Sequence, residues 1–231
     1  MTIPTRQLGT TGATVTALGL GGEGMLRTFG REREASALVN RALDLGITYY
    51  ESARAYADSE SYYGAALRKR RKDVFLTSKS HDRTQAGALR HLHETLRNLR
   101  TDHLDLWQVH DVRMSGEVEE IFGPGGAMEA FLEARQQGKT RFIGVTGHHD
   151  PALLRTCIER FTFDTVLMPV NPAEHGAGGF LRTVLPLAEA KGMGIVGMKV
   201  YFRGLAARLP WYTSMEPFLR FSLTMPVSTA V

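Results

Sequence analysis

ITYYESARAYADSESYYGAALRKRRKDVFLTSKSHDRTQAGALRHLHETLRNL, residues 47–99, carries the pattern that decides the fold. It opens on a short β-branched and aromatic run, ITYYES from Ile47, and passes through a polar break into a helical stretch. A second short run, VFLTSKS from Val74, leads into a stretch where Leu89, Leu92, Leu96 and Leu99 recur at spacings of three and four. Such spacing lays one apolar stripe along a helix, whereas the short runs are strand-sized. The same beat extends in both directions. Strand-like runs recur as VTALGLGG from Val15, DLWQVHD from Asp105, RFIGVTGH from Arg141, TVLMPVN from Thr165, GIVGMKV from Gly194 and STAV from Ser228. Helical stretches fall at Glu32–Leu45, Glu60–Arg70, Ala86–Leu99, Ala127–Gln137, Leu153–Arg160 and Phe180–Lys191. Strands alternating with helices imply right-handed βαβ units and a parallel sheet. Six or seven such units with no shift in composition predict an α/β fold, a parallel (β/α)8 TIM barrel. It occupies residues 1–231 as a single domain, with the eighth strand incomplete at Val231. The leading RQLGTTGATV is too short to open a βαβ unit and predicts an N-terminal β-hairpin at the barrel's bottom.

Composition narrows the class. Hydrophobic residues make up 43% and charged residues 23% of the 231, which are globular values and exclude disorder. No apolar run approaches the ~18 residues of a membrane span. A single cysteine, Cys157, forms no internal disulfide and fits a reducing compartment. The start shows no secretory signal, so a cytoplasmic protein without membrane partners is expected. The net charge of +4 suits phosphate-bearing ligands. Its one dense basic run, Arg68 to Lys72, has no interleaved aromatics and reads as a solvated helix end rather than a nucleic-acid surface.

Function in such a barrel collects at the C-terminal ends of the strands. Those positions hold Gly21, Gly22 and Glu23 on the first strand, Glu51 with Tyr56 on the second, and Lys79 on the third. They continue with His110 and Asp111 on the fourth, Thr146, Gly147 and His148 on the fifth, Asn171 on the sixth and Lys199 on the seventh. An acid, a tyrosine, a lysine and a histidine at one mouth form a proton-transfer set. A lysine beside a tyrosine favours the phenolate and predicts a lowered tyrosine pKa. A carboxylate beside that lysine holds it charged.

These stretches resemble the aldo-keto reductases. GITYYESARAYADSESYYGAAL looks like that family's second-strand signature, VFLTSKS its lysine strand and LDLWQVHD its histidine strand. LGTTGATVTALGLGG is similar to its opening hairpin and first strand, and FLEARQQGKTRFIGVTGHH to the segment leading into strand five. The resemblance runs along essentially the whole chain in order. It implies reversible hydride transfer between NADP(H), held extended across the barrel mouth, and an aldehyde or ketone. Tyr56 would be the general acid, Lys79 would depress its pKa, Glu51 would pair with Lys79 and His110 would orient the carbonyl. Gly21, Gly22, Thr146, Gly147, Asn171, Met198, Lys199 and Arg203 would face the cofactor. Several positions depart from the family pattern. Glu51 stands for the usual aspartate, Ala57 for glycine, Thr146-Gly147 for Ser-Asn, and Met198 for the aromatic that stacks on nicotinamide. The family's loop and helix that bind the 2′-phosphate follow the eighth strand, beyond Val231. An unfinished barrel with open sheet edges, and hence an incomplete sequence, is therefore expected.

Other motifs are set aside. Gly19, Gly21 and Gly24 spell G-x-G-x-x-G, but a loop rather than a helix follows, and the nearest acid on a strand end, Glu51, lies too far on. His91 and His93 fall on different helix faces and cannot share a metal. His148, His149 and Asp150 gather after strand five, but without a clear cysteine or carboxylate cluster elsewhere no metal site is expected. Two alternatives stay open: an inactive nucleotide-sensing or partner-binding barrel, and a barrel lyase using Lys79 or Lys199 as a Schiff-base nucleophile.

Overall fold

In the computed structural model, which describes residues 2–231, eight parallel strands run in chain order around one barrel. They are β3 (Gly19–Leu20), β4 (Tyr49–Glu51), β5 (Phe75–Ser80), β6 (Leu104–Val109), β7 (Thr140–Thr146), β8 (Thr165–Pro169), β9 (Gly194–Met198) and β10 (Thr229–Ala230). Ahead of them β1 (Thr5–Gln7) and β2 (Thr14–Thr16) pair antiparallel as the expected hairpin. The apolar run from Val15 is thus shared: its first residues finish the hairpin, and only Gly19 and Leu20 enter the barrel.

Side-chain alternation builds two cores. Tyr49, Phe75, Leu106, Leu167 and Val196 point inward and pack with Leu8 and Val15 of the hairpin, which plugs the barrel floor. Their strand neighbours, such as Tyr50, Leu76 and Trp107, pack outward against the helices. Because side chains repeat every two residues along a strand, Tyr49 predicts an inward Glu51, and Phe75 predicts inward Thr77 and Lys79. The plug needs a close approach at Gly9. Its φ is +55°, and a Cβ there would lie 2.2 Å from the Gly194 nitrogen.

The outer helices are α1 (Glu32–Asp44), α2 (Ser59–Leu67), α3 (Gln85–Leu99), α4 (Ser115–Phe122), α5 (Ala127–Gln136), α6 (Pro151–Arg160), α7 (Phe180–Thr183), α8 (Leu185–Ala190) and α9 (Glu216–Thr224). The leucine stripe of α3 faces the sheet, with Leu92 and Leu99 buried and Leu89 and Leu96 packed beside them. Sequence periodicity misses α4, whose start is held by Glu117 accepting from the Arg113 and Met114 amides. It also misses α9. The single helix expected over 180–191 is two, because Pro186 in the first turn of α8 has no N–H to continue the ladder. α2 stops at Leu67, and the basic run after it forms a 3-10 turn rather than a helix end. There Arg71 pairs with the buried Asp105 at 2.9 Å, so part of the run is structural.

The expected open edge is corrected. Thr229 and Ala230 pair with Val196 and Gly197 on one side. On the other, Ala230 bridges to Leu18 and donates to the Ala17 carbonyl at 3.0 Å. Two residues suffice to close the ring because the first strand is equally short. No helix among the described residues is long and apolar enough to cross a membrane.

Candidate active site

Strand alternation carries Glu51, Lys79 and His110 up the barrel wall to the C-terminal mouth, where the turn after β4 adds Tyr56. Glu51, Tyr56 and His110 line a cavity of about 640 Å³. Lys79 is fully buried beneath them. Its Nζ lies 2.8 Å from Glu51 Oε1, donates to the Ser52 carbonyl at 2.9 Å, and sits 4.9 Å from the centre of the Tyr56 ring. The longer side chain of Glu51 therefore does reach the lysine. Tyr49, two residues back on the same inward face, donates its hydroxyl to Glu51 Oε2 at 3.3 Å and occupies the second oxygen.

Burial alone would lower the Lys79 pKa, but Glu51, helped by Tyr56, outweighs it and the amine stands above its ordinary value. Tyr56 departs from expectation: burial raises its phenol more than Lys79 lowers it, and its pKa stands above 10. His110 meets Tyr56 edge-on at 5.6 Å between ring centres. Burial, helped by the Lys79 charge, pushes its pKa well below 6.5, so the ring is neutral near pH 7. Its Nδ1 is buried without a hydrogen-bond partner among the described residues.

The turn that presents Tyr56 is held from below by Glu60. That buried carboxylate accepts from Ser78 and Thr95 hydroxyls at 2.7 Å each, from Asn98, and from Arg54. It ties α2 to β5 and α3. Immediately after Tyr56, Ala57 has φ +43°, the left-handed region that disfavours a Cβ. Ala57→Gly is expected to raise unfolding free energy by about 0.5–1 kcal/mol, read by urea denaturation. An unchanged or lower midpoint would mean that the turn carries no such strain.

Of the positions expected to face a cofactor, Gly21, Gly22, Thr146, Met198, Lys199 and Arg203 line the cavity. Gly22 is close-packed behind it; a Cβ would meet Ser59 Oγ at 2.6 Å and the Glu51 carbonyl at 2.7 Å. Gly147 lies behind the lining, beside Leu154. Asn171 is spent on backbone, donating to the Lys199 carbonyl at 3.2 Å and accepting from the Ala173 amide at 3.1 Å. Thr146 Oγ1 likewise accepts from the Asp111 amide at 2.7 Å.

Asp111 is the residue whose surroundings the sequence hides. Buried at the mouth, its carboxylate contacts Arg113 and has His148 Nε2 at 2.9 Å. Although burial would raise its pKa, those neighbours hold it well below the carboxylate range. Asp150, its counterpart in the sequence reading, caps α6 by accepting from the Ala152 amide. Lys199 Nζ in turn contacts His148 Nδ1, and burial followed by Arg203 lowers the Lys199 pKa.

This arrangement can hold a proton on Tyr56 and a fixed positive charge beneath its ring. The match to known proteins decides the family: residues 17–218 fit the model described as Aldo/keto reductase family. The chain belongs to the aldo-keto reductase family. It is an oxidoreductase. This aldo-keto reductase is 29% identical to L-galactose dehydrogenase of Arabidopsis thaliana over 218 residues, 88% of this chain and 67% of that protein. It is 33% identical to the Schizosaccharomyces pombe protein named aldo-keto reductase yakc (NADP(+)) over 166 residues, 63% of this chain and 46% of that one. It thus spans about two thirds of the first relative and under half of the second. A solved thermostable aldo-keto reductase in complex with the inhibitor epalrestat superposes with a TM-score of 0.80 at 26% identity, covering 99% of this chain and 88% of that one.

Proposed function

We propose that this aldo-keto reductase reduces a small-molecule aldehyde or ketone, reversibly, with NADP(H). The observation that carries the reading is the buried Glu51–Lys79 pair, with Nζ against the Tyr56 ring and His110 edge-on to that ring at the cavity wall. The residues present suit a pyridine nucleotide. Leu167, Met198 and Val200 give the cavity an apolar wall for a planar ring, and Lys199 and Arg203 bring cations to the rim for phosphates. When bound, NADP(H) supplies the hydride. The NADP(+) in the name of the Schizosaccharomyces pombe relative favours this nucleotide over its 2′-hydroxyl counterpart.

In this mechanism the chain manages the proton. Tyr56 gives its phenolic proton to the oxygen of the carbonyl as negative charge develops there. Lys79, kept cationic by Glu51, stabilises the phenolate left behind. Neutral His110 supplies an N–H to the carbonyl oxygen and orients it. Glu51 acts through Lys79 as a positioning residue. A Schiff-base role does not suit Lys79, since an amine held cationic has no free lone pair.

NADPH titration followed by a carbonyl panel tests the reading. Binding with turnover supports it, binding without turnover points to a sensing barrel, and borohydride trapping of a carbonyl compound on Lys199 points to a lyase. The pH profile adds a second test. The acid form of Tyr56 is the active form for reduction, and a raised pKa moves its loss upward. Reduction is therefore expected to stay level through neutral pH and to fall only above 10, while alcohol oxidation, which needs the phenolate, climbs over that range. The His110 proton is lost well below 6.5, so no break near that value is expected in kcat/KM. A reduction limb falling between pH 6 and 8 would contradict the assignment.

A further inference from the structure

We infer that the barrel mouth holds a binding site for an imidazole-favouring divalent transition-metal ion, formed by Asp111 Oδ1, His148 Nε2 and His149 Nε2. The three donor atoms lie within 4.8 Å of one another. Oδ1 is 2.9 Å from His148 Nε2 and 3.7 Å from His149 Nε2. Tetrahedral coordination with bonds of about 2.0–2.1 Å sets neighbouring donors about 3.4 Å apart, between those two distances. The side chain of Asp111 is 7% exposed, yet Oδ1 makes no hydrogen bond of acceptable geometry among the described residues. A buried carboxylate oxygen is costly to leave without a hydrogen bond. Here it faces two imidazole nitrogens, at 2.9 and 3.7 Å, on either side of that coordination spacing.

The surrounding contacts fit the same purpose. Arg113 grips Oδ2, the carboxylate oxygen the ion does not need. A partner on the far side of a ligand orients it toward the metal. Asp111 itself sits at φ +55°, in the left-handed region. Two imidazoles and one carboxylate select zinc-like ions over magnesium or calcium, which prefer all-oxygen shells. Three protein donors leave a fourth position for water or a small ligand. On uptake a ring whose hydrogen sits on Nε2 carries it on Nδ1 instead, and at His148 Lys199 then gives a proton to solvent and accepts from Nδ1.

The site lies in the cavity assigned to the nucleotide, so its test is binding rather than turnover and is made without NADP(H). Chelator-treated protein is dialysed against Zn2+ and the bound ion counted. One ion per chain is expected, not displaced by excess Mg2+. Asp111→Asn and His149→Ala should each weaken uptake at least about tenfold, and His175→Ala, at a ring that packs on Phe221 outside the three-donor cluster, should leave it unchanged. His149 is half exposed and forms no part of the core, so its replacement keeps the fold should Asp111→Asn fail to. Co2+ in place of Zn2+ should give visible absorption of a tetrahedral site that His149→Ala removes. No stoichiometric uptake, or uptake equal in parent, Asp111→Asn and His149→Ala, would overturn the inference.

Discussion

Tyr56→Phe is expected to lower kcat for carbonyl reduction by about 10²–10⁴-fold, with NADPH affinity within a few-fold of the parent. The substitution removes one oxygen and keeps the ring, so the packing against Lys79 and the edge contact with His110 persist. What disappears is the proton. His110 is a poor substitute, because burial keeps it neutral and its remaining N–H is a weak acid. Lys79 is committed to Glu51 and the Ser52 carbonyl and stays charged well into the alkaline range. Neither neighbour therefore replaces the phenol. Single-turnover measurement at saturating NADPH isolates the chemical step. A Tyr56→Phe enzyme that reduces carbonyls as fast as its parent would end the mechanism. Its companion, His110→Ala, should chiefly raise KM for the carbonyl, separating orientation from proton supply.

Why this much was readable lies in two periodicities. Alternation along Tyr49–Glu51 and Phe75–Lys79 places inward side chains by counting in twos, and the barrel sends every such strand to the same mouth. Four chemical residues at four successive strand ends then need no three-dimensional knowledge to be grouped. What stays hidden is pairing at long sequence distance through loops. Asp111 and His148 lie 37 residues apart on separate strand ends, while Asp150 sits beside His148 and invites the wrong trio. The sense of the Tyr56 shift was likewise out of reach, because a neighbouring cation is visible in sequence and the depth of burial is not. The short helices α4 and α9 escape for a different reason. Each spans about two turns, too few for an apolar stripe to stand out, and is set by capping and tertiary contacts. Closure by Thr229 and Ala230 depended on how little strand the first and last positions require.

Lys79→Met is expected to destabilise the protein by about 3–5 kcal/mol, because it strands Glu51 as an unpaired charge in the barrel interior. Glu51→Gln, which keeps shape and removes the opposite charge, should also destabilise, softened by the Ser52 carbonyl that still accepts from Nζ. If the two effects come from the lost partner rather than lost packing, they cannot add. Lys79→Met combined with Glu51→Leu replaces a buried ion pair by apolar groups of similar size, a change that is often neutral or stabilising. That double variant should therefore unfold at higher urea than Lys79→Met alone, a coupling that a purely steric account does not produce. Tyr49, whose hydroxyl would lose its acceptor at Glu51 Oε2, limits how complete the recovery is. Turnover should behave differently. Glu51→Gln should slow reduction while NADPH binds nearly as before, since its charge reaches Tyr56 only through Lys79. The double variant should stay inactive despite its regained stability, because nothing is left to stabilise the Tyr56 phenolate. Additive losses in urea would place the pair's value in packing. Restored turnover in the double variant would remove Lys79 from the chemistry altogether.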